Sequence, residues 1–292
     1  MLDVRELRLQ NRDLWRDCFH DDEAFMDLYF SQVARPENTF WLERDEKLAC
    51  VMQALTCEVT NGNNRWRAAY LSGIATRPEY RKQGLATTLL KQVHELMADR
   101  DVAVSLLIPA SEQLAEYYAK DAGYTLLTRV TDERPNLSEV SLGSHVKLQP
   151  VSTPQALQEA YAQCQPTEGC CINHTAAQLE VAMKAWQLGK GQVWALRSEE
   201  TGDCQALAFC RRTQNGCVRV ADCMGLNDDS RQQLLARLAR LYHPERLELK
   251  KQQKAELGKG RPFAMARVLR PDLLKEGVSA LSGLRLNLML DE

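Results

Sequence analysis

The stretch "ATRPEYRKQGLATTLL", residues 75–90, combines residue types that can bind an anion. Arg81 and Lys82 supply positive charge, and Gly84 precedes a helical pattern that begins near Leu85. The first N–H groups of a helix have no partner within the helix and lie at the positive end of its dipole. Because glycine has no side chain, a ligand can approach the backbone closely. The stretch therefore predicts a binding site for a diphosphate.

The elements that must position this site form a mixed α/β unit over roughly the first 130 residues. Asn11 and the pair Asp21 and Asp22 are typical helix starts, and Asn61-Gly62 predicts a hairpin between two strands. A buried strand, "VAVSLLIP", and a helix, "EQLAEYYAKDA", follow the anion-binding turn. We therefore expect a strand, the turn, a helix, a second strand and a second helix in succession.

The second half of the chain partly repeats this pattern after a turn-rich boundary near residues 142–154. The segment "GCVRVADCMGLNDDSRQQLLARLARL" has the same strand–turn–helix plan, which predicts a duplicated fold. Its turn carries Asn227, Asp228 and Asp229 where the first copy has cations and glycine. Carboxylates at a helix start satisfy the free N–H groups and repel a diphosphate. The second copy is therefore predicted to lack the ligand and to form a wall of the acceptor site or an interface.

The run Arg81-Lys-Gln-Gly84-Leu-Ala86 resembles the Arg/Gln-x-x-Gly-x-Gly/Ala hallmark of the GNAT (GCN5-related) N-acetyltransferases, and it follows a strand and a proline as in that family. The tandem order resembles the enhanced intracellular survival (Eis) class. The resemblance implies an α/β fold (a mixed α+β sheet) with two tandem GNAT-like domains, the second degenerate. The limits that we expect are 1–143 for the catalytic domain, 144–260 for the degenerate domain and 261–292 for a short strand–helix–strand segment.

The resemblance implies acetyl-CoA as cosubstrate and transfer of its acetyl group to a primary amine by direct attack. The diphosphate is expected on the N–H groups of residues 82–87, and the pantetheine arm beside the backbone of the preceding strand. The implied acetyl-CoA-binding residues are Ile74, Ala75, Thr76, Arg81, Lys82, Gln83, Gly84, Leu85, Ala86 and Thr87.

Two catalytic groups are also implied by the resemblance. The Ile74 N–H, at an expected strand bulge, would donate to the thioester carbonyl. Tyr118 is the preferred acid for the CoA thiolate and Tyr117 the second choice, because a phenol with a reference pKa near 10 suits that transfer. Gly123 lies one residue further from Tyr118 than the usual family spacing. For each tyrosine, the alternative is an aromatic ring that packs against the sheet.

The general base is left open by the sequence. Glu58 lies on the strand before the hairpin, and its alternative is a solvated strand carboxylate. His20, with Asp21, Asp22 and Glu23, lies between the two predicted N-terminal helices, where an acidic cluster would attract a cationic amine. The alternative for this cluster is an ordinary helix start.

Two further residues have weaker claims to a role in catalysis. His94 is expected to be structural, on a helix of core and surface residues. The Eis class uses a C-terminal carboxylate as base, which would be Glu292 here, and it has a third domain resembling a sterol-carrier protein. Residues 261–292 are far too short for such a domain, so either that domain is vestigial or this part of the resemblance is loose.

Composition and charge exclude several other classes of protein. The chain has 292 residues with 45% hydrophobic and 26% charged residues and a net charge of −2, so no basic field recruits nucleic acid. No apolar run reaches the roughly 20 residues needed to cross a bilayer, and the N-terminus is too charged for a secretory signal. A cytoplasmic location follows as the expectation, with a homo-oligomer possible. The ten cysteines are expected to pack as small apolar side chains without a metal.

The expected function is acetyl-CoA-dependent N-acetylation of an unidentified amine: an aminoglycoside, a polyamine, an amino acid or a protein lysine. The alternative is a non-catalytic acyl-CoA-binding sensor or interaction protein with the same fold. A donor other than acetyl-CoA is a third possibility. Tyr118 discriminates the first two, because only the enzyme needs a proton donor for the leaving thiolate.

Overall fold

The computed structural model describes residues 2–165 and 169–286, which form seven α-helices and two mixed sheets. The helices are α1 Val4–Phe19, α2 Glu23–Gln32, α3 Leu85–Asp99, α4 Glu112–Ala122, α5 Pro154–Cys164, α6 Ala176–Leu188 and α7 Asp228–Tyr242. The strands of the first half are β1 Thr39–Arg44, β2 Lys47–Asn61, β3 Asn64–Thr76, β4 Val104–Leu107, β5 Thr125–Leu126 and β6 Thr128–Glu133. Those of the second half are β7 Val146–Val151, β8 Cys170–Asn173, β9 Gln192–Ser198, β10 Cys204–Arg212, β11 Cys217–Gly225, β12 Arg246–Lys254, β13 Arg261–Pro262 and β14 Met265–Val268.

The first sheet has the order β1-β2-β3-β4-β14-β5, with β8 added to β2. A long hairpin joins β2 and β3 through Asn61 and Asn64, as the Asn-Gly signal predicted. The strands β3 and β4 are parallel and connected through α3, which buries Leu85, Leu89 and other apolar residues against the sheet. A parallel pair requires such a crossover, so the strand–turn–helix–strand plan read from the sequence is confirmed.

The second sheet repeats the central strands of the first. Its order is β7-β9-β10-β11-β12-β6-β13, with β11 and β12 parallel and connected by α7. The strands β9 to β12 therefore correspond to β1 to β4, and α7 corresponds to α3. The prediction of a duplicated fold is confirmed.

The two halves exchange strands, which the expected domain limits did not foresee. The strand β6 precedes residue 143 but pairs with β12 in the second sheet, whereas β14 returns from the C-terminal segment to pair with β4 in the first. The strand β8 joins β2 at Glu58–Asn61, beyond the part of β2 that β1 covers. Each exchange satisfies backbone groups that would otherwise lie at an open strand edge. The limits at 143 and 260 remain a prediction, but the sheets are not divided there.

The ends of two predicted elements also differ from expectation. The helix α1 begins at Val4, capped by Asp3, and Asn11 lies buried inside it because Leu7 and Leu14 extend the apolar face on both sides. In the C-terminal segment the expected helix is a 3-10 helix over Gly277–Leu281. Residues 287–292, including Glu292, lie outside the described residues.

Candidate functional site

The N-terminus of α3 is open in the way that an anion-binding turn requires. Gly84 is its N-cap, with φ 74° and ψ 6° in the left-handed region, and no side chain accepts a hydrogen bond from the first turn. A Cβ at Gly84 would meet nothing within 4 Å. The turn therefore leaves N–H groups at the positive end of the helix facing open space.

The cations of the motif lie around this turn without capping it. Arg81 donates through Nε to the Thr76 carbonyl at 3.0 Å, so its side chain braces the end of β3. Lys82 is exposed, with a positive φ of 61° that turns the chain toward Gly84. Gln83 donates to the Glu79 carbonyl at 3.1 Å. Lys82 is thus the cation whose side chain is most accessible to a bound anion.

The strand bulge expected at Ile74 is present in β3. Gln53 pairs with Ser72 and Val51 pairs with Ala75, so Gly73 and Ile74 together lie opposite Met52. A Cβ at Gly73 would lie 2.3 Å from both the Trp15 ring and Gln53, so only glycine fits at this position. The bulge thus turns the backbone at Ile74 away from the regular ladder.

Within residues 2–165 and 169–286, no strand pairs with one side of the same end of β3. The strands β3 and β4 pair only from Ala68 to Tyr70 on β3, and Leu107, the last residue of β4, pairs with β14 instead. Ala75 and Thr76 pair with β2 on their other side. The pairing of β3 with β4 therefore ends at Tyr70, before the segment beside which the pantetheine arm was expected.

A cavity of about 460 Å³ opens beside this edge, between the two halves of the molecule. The first half contributes residues of α1, α2, β3 and α4, and the second half contributes residues of α6, β10, β11 and β12. Aromatic residues from both halves line it: Trp15, Phe19, Phe25, Tyr118, Trp186 and Phe209. The volume is typical of a pocket for a small molecule.

Tyr118 and Tyr117 are placed differently by α4, which begins at the predicted cap Ser111 and ends at Gly123. Tyr118 lines the cavity together with Ile74, and burial raises the pKa of its phenol above its ordinary value. The Tyr117 hydroxyl lies 2.9 Å from the Thr87 hydroxyl, and burial raises its pKa as well. A raised phenol pKa keeps the proton on the oxygen at neutral pH.

The acidic cluster of the N-terminal helices is divided between two environments. Asp21 and Asp22 line the cavity; Asp21 accepts a 2.8 Å hydrogen bond from the Trp15 indole, and Asp22 caps α2. Glu23 is paired with Arg12 and Arg16, which lower its pKa to about 2. His20 is the exposed left-handed residue that ends α1.

Glu58 and His94 lie away from the cavity. Glu58 pairs with Arg65 at 2.9 Å and accepts from Asn173 at 2.8 Å, which ties β2 to β8. His94 is 4% exposed, and its Nε2 lies 2.9 Å from the Tyr124 hydroxyl. Burial lowers the pKa of His94 to about 4, so it is neutral at physiological pH. Its expected structural placement agrees with this environment.

The turn before α7 is closed by its own side chains. Asn227 accepts from the Ser230 N–H at 2.9 Å, and the Ser230 hydroxyl is hydrogen-bonded back to the Asn227 N–H, forming a reciprocal cap. Asp228 pairs with Arg231, and Asp229 accepts from Gln233. The expectation that this turn satisfies its own N–H groups is met, but by Asn227 rather than by the two carboxylates.

Charged residues of the second half also line the cavity, and the sequence reasoning did not single them out. They are Arg211, Asp222, Lys250 and Arg261. Burial lowers the pKa of Lys250 to about 8. The segments "RVADC" and "ELKKQ" read as ordinary strands in the sequence, and only the packing of the two sheets brings them to the cavity.

The site combines an open helix N-terminus, a bulged strand edge and an adjoining cavity. Residues 8–126 match the family model described as an acetyltransferase (GNAT) domain. This part of the chain belongs to the GNAT family, and the second half repeats its fold in a tandem arrangement.

Known proteins with similar sequence or fold support this classification. The chain is 30% identical over 82 residues to aminoglycoside N(6')-acetyltransferase type 1 of Acinetobacter baumannii, a match that covers 27% of this chain and 55% of that protein. A probable N-acyltransferase of Enterococcus faecalis V583 has a similar structure, with TM-score 0.73 and 16% identity over 92% of this chain and 71% of that one.

Two further structures have the expected architecture. Eis1 from Mycobacterium abscessus matches with TM-score 0.66 and 13% identity, over 92% of this chain and 72% of that chain. A tandem GNAT protein from the clavulanic acid biosynthesis pathway matches with TM-score 0.52 and 12% identity, over 91% of this chain and 96% of that chain. At these identities the likeness concerns the fold.

Within residues 2–165 and 169–286, no cluster of three or more His, Cys, Asp or Glu is suited to a metal ion. None of the described helices is long and apolar enough to cross a membrane. All ten cysteines are free thiols, and nine of them are buried.

Proposed function

We propose that the chain is an acetyl-CoA-dependent N-acetyltransferase that moves acetyl to a primary amine by direct attack. The observation that carries the proposal is the uncapped N-terminus of α3 at Gly84, next to a bulged strand edge that leads into the cavity. The diphosphate of acetyl-CoA binds the N–H groups of residues 82–87, with Lys82 adding charge. The backbone of residues 74–76 holds the pantetheine arm.

The chemical step is assigned to two groups that line the same cavity. The Ile74 N–H donates to the thioester carbonyl and stabilises the charge that develops on its oxygen. The amine nitrogen forms a bond to the carbonyl carbon while the carbon–sulfur bond breaks. Tyr118 gives its proton to the leaving thiolate, since it lines the cavity beside Ile74 and its phenol is protonated at neutral pH. The amine gives up one proton in the same reaction, and that proton restores the Tyr118 phenol by way of solvent, so that amide and free thiol form with no net change of charge.

The acceptor lies in the cavity between the two halves, so the second half shapes acceptor recognition without binding acetyl-CoA. The aminoglycoside N-acetyltransferase relative favours a small-molecule amine as acceptor, but the match spans only 55% of its length. The six aromatic residues of the lining indicate a site in which an apolar body packs beside the amine.

The proposal is tested by incubating the protein with acetyl-CoA and one amine from each class: kanamycin, spermidine, L-lysine or a lysine-containing peptide. Free thiol is followed spectroscopically, and the acetylated product is identified by mass spectrometry. Acetylated amine that accumulates in step with thiol supports an N-acetyltransferase. Acetyl-CoA binding without product from any amine class would favour an acyl-CoA sensor instead.

A further inference from the structure

A second cavity, of about 230 Å³, lies next to the acceptor cavity. It is bordered by the end of α2, by β2 and β3, and by the start of α6. Ser72 lines both cavities, and along α6 the lining passes from Val181 in the second cavity to Ala182 in the acceptor cavity. The described residues that line the second cavity include none of residues 74–76 and 81–87. The second cavity therefore lies outside the groups to which acetyl-CoA binding was assigned.

Tyr70 brings a buried polar group to this cavity. Its backbone is paired with Leu55 on β2 and with Leu106 on β4, so Tyr70 reaches the cavity through its side chain. Leu55 lies directly opposite on the same face of the sheet and lines the cavity as well. Tyr70 is 2% exposed, and its hydroxyl has no hydrogen-bond partner in the described part of the chain.

The Tyr70 hydroxyl is energetically unfavourable as it stands. A buried hydroxyl without a partner has lost its hydrogen bonds to water and has gained none within the protein. An oxygen atom of a ligand in the cavity would restore one of them, with the phenol as donor. The buried group therefore points to a ligand that carries a hydrogen-bond acceptor.

Most of the remaining lining is apolar. It includes the side chains of Val33, Leu55, Cys57, Ala177 and Val181. Burial raises the pKa of the Cys57 thiol to about 12, so the thiol is neutral and packs as a small apolar group. The volume is below that of a pocket for a drug-sized molecule. The cavity therefore suits a small ligand with an apolar body.

The charge of the lining is positive. Arg35 is exposed, and its guanidinium forms no ion pair with the described residues. Neither Asp nor Glu occurs among the described residues of the lining, and His174 adds no negative charge in either protonation state. Lys184 donates to Gln32 at 3.5 Å, but it is paired with Glu180 at 2.7 Å and so adds no net charge. The second cavity thus favours an anion over a cationic amine.

We infer that the second cavity binds a small monocarboxylic acid with an apolar body, such as benzoate or hexanoate. One carboxylate oxygen accepts a hydrogen bond from the Tyr70 hydroxyl, and the positive charge of Arg35 attracts the carboxylate. The apolar body packs against side chains such as Leu55 and Val181. The site is separate from the acceptor site, and it does not depend on the proposed acetyl transfer.

The test compares acids with alcohols of similar shape. Binding of benzoate, hexanoate, benzyl alcohol and 1-hexanol is measured by ligand-observed NMR titration. The wild-type protein is expected to bind each acid with a Kd of about 1 mM and to prefer it over its alcohol by about tenfold. Tyr70→Phe should weaken acid binding by about tenfold, because it removes the donor and keeps the ring. Arg35→Gln should lower the preference for the acid by about threefold, as for an exposed charge.

Tyr242→Phe and Arg44→Gln are the matched controls, since both residues lie outside the second cavity. They should leave acid binding unchanged, and the midpoint of thermal unfolding verifies that each variant is folded. Unchanged acid binding in Tyr70→Phe, or equal losses in the controls, would place the acid elsewhere and overturn the inference. No saturable binding of either acid by the wild type would overturn it too. A protein that binds the acids through Tyr70 but acetylates no amine upholds this site and counts against the proposed enzyme activity alone.

Discussion

The N-terminus of α3 and the N-terminus of α7 lie at equivalent places in two copies of one fold, but their free N–H groups are treated differently. At α3 the N-cap is Gly84, which offers no side chain and leaves the turn open. At α7 the N-cap is Asn227, which forms a reciprocal cap with Ser230. In the second copy, side chains thus bind the N–H groups at the helix N-terminus, whereas in the first copy a ligand is expected to bind them.

The two copies differ in a second element that bears on chemistry. After β4 the first copy has the full helix α4, which carries Tyr117 and Tyr118. After β12 the second copy has only a 3-10 helix over Ala255–Leu257. In the described residues, the second copy therefore has neither an open helix N-terminus like that of α3 nor a counterpart of α4, which carries the proposed acid. Both halves thus keep the duplicated scaffold, whereas the features that we propose for acetyl-CoA binding and catalysis lie in the first.

The largest effect on activity is expected from Tyr118→Phe, which removes the proposed general acid from the first copy. We expect kcat to fall by about a hundredfold to ten-thousandfold, as for loss of a general acid, while the Kd for acetyl-CoA stays unchanged. Steady-state kinetics and calorimetry measure the two quantities. Tyr117→Phe is the control, and an equal loss of kcat in that variant would contradict the assignment.

A carboxylate at the open turn before α3 is expected to prevent diphosphate binding there, as we expect at the turn before α7. Gly84→Glu should weaken acetyl-CoA binding by about a hundredfold, because it adds negative charge and a side chain where the diphosphate binds. The matched control is Gly62→Glu in the β2–β3 hairpin, since Gly62 also has a positive φ and open space around its Cβ position. A similar loss of acetyl-CoA affinity in both variants would indicate general backbone strain and not a diphosphate site at Gly84.

The burial of His94 in α3 is expected to make stability depend on pH. Its pKa is lowered to about 4 in the folded protein, against about 6.5 when unfolded, so the unfolded state binds more protons between these values. The stability that this group contributes is present above pH 6.5 and is lost as pH falls toward 4. Urea unfolding at pH 5 and pH 7 should differ by about 2 kcal/mol from this group. In His94→Gln, the difference in the free energy of unfolding between pH 5 and pH 7 should be smaller by this amount. An unchanged difference would contradict the assignment of this pH dependence to His94.

The smallest effect is expected at the closed turn of the second copy. Asn227→Ala removes the reciprocal cap of α7 and should lower the free energy of unfolding by about 1 kcal/mol. Acetyl-CoA affinity should not change, because the ligand binds at α3. Gln214→Ala, at an exposed turn position, is the control for a surface substitution. A marked loss of acetyl-CoA affinity in Asn227→Ala would mean that the two turns are not functionally separate.

The fold and the open turn before α3 were predictable because the sequence patterns that determine them are local. A glycine before an amphipathic helix, the Asn61-Gly62 hairpin and the cap Ser111 each act within a few residues of chain. The bulge at Ile74 was expected from the family resemblance and not from a local signal of its own. Local patterns of this kind determine where an element begins and which backbone groups stay free.

The strand exchange and the second wall of the cavity were not predictable in this way. The strand β14 pairs with β4, which lies more than a hundred residues earlier in the sequence. The residue types at positions 265–268 do not indicate which strand they pair with. Asp222 lies in a segment that reads as an ordinary buried strand. Its place in the cavity wall follows only from the packing of two sheets around one cavity. Such contacts depend on tertiary structure, and a single sequence does not reveal them.

The most direct test of the account is the number of acetyl-CoA molecules bound per chain, measured by isothermal titration calorimetry. The account predicts one site, at the open turn of α3, with the closed turn of α7 silent. Two sites of comparable affinity would contradict the claim that Asn227 and its neighbours exclude the ligand from the second copy. No binding would contradict the acetyltransferase proposal itself.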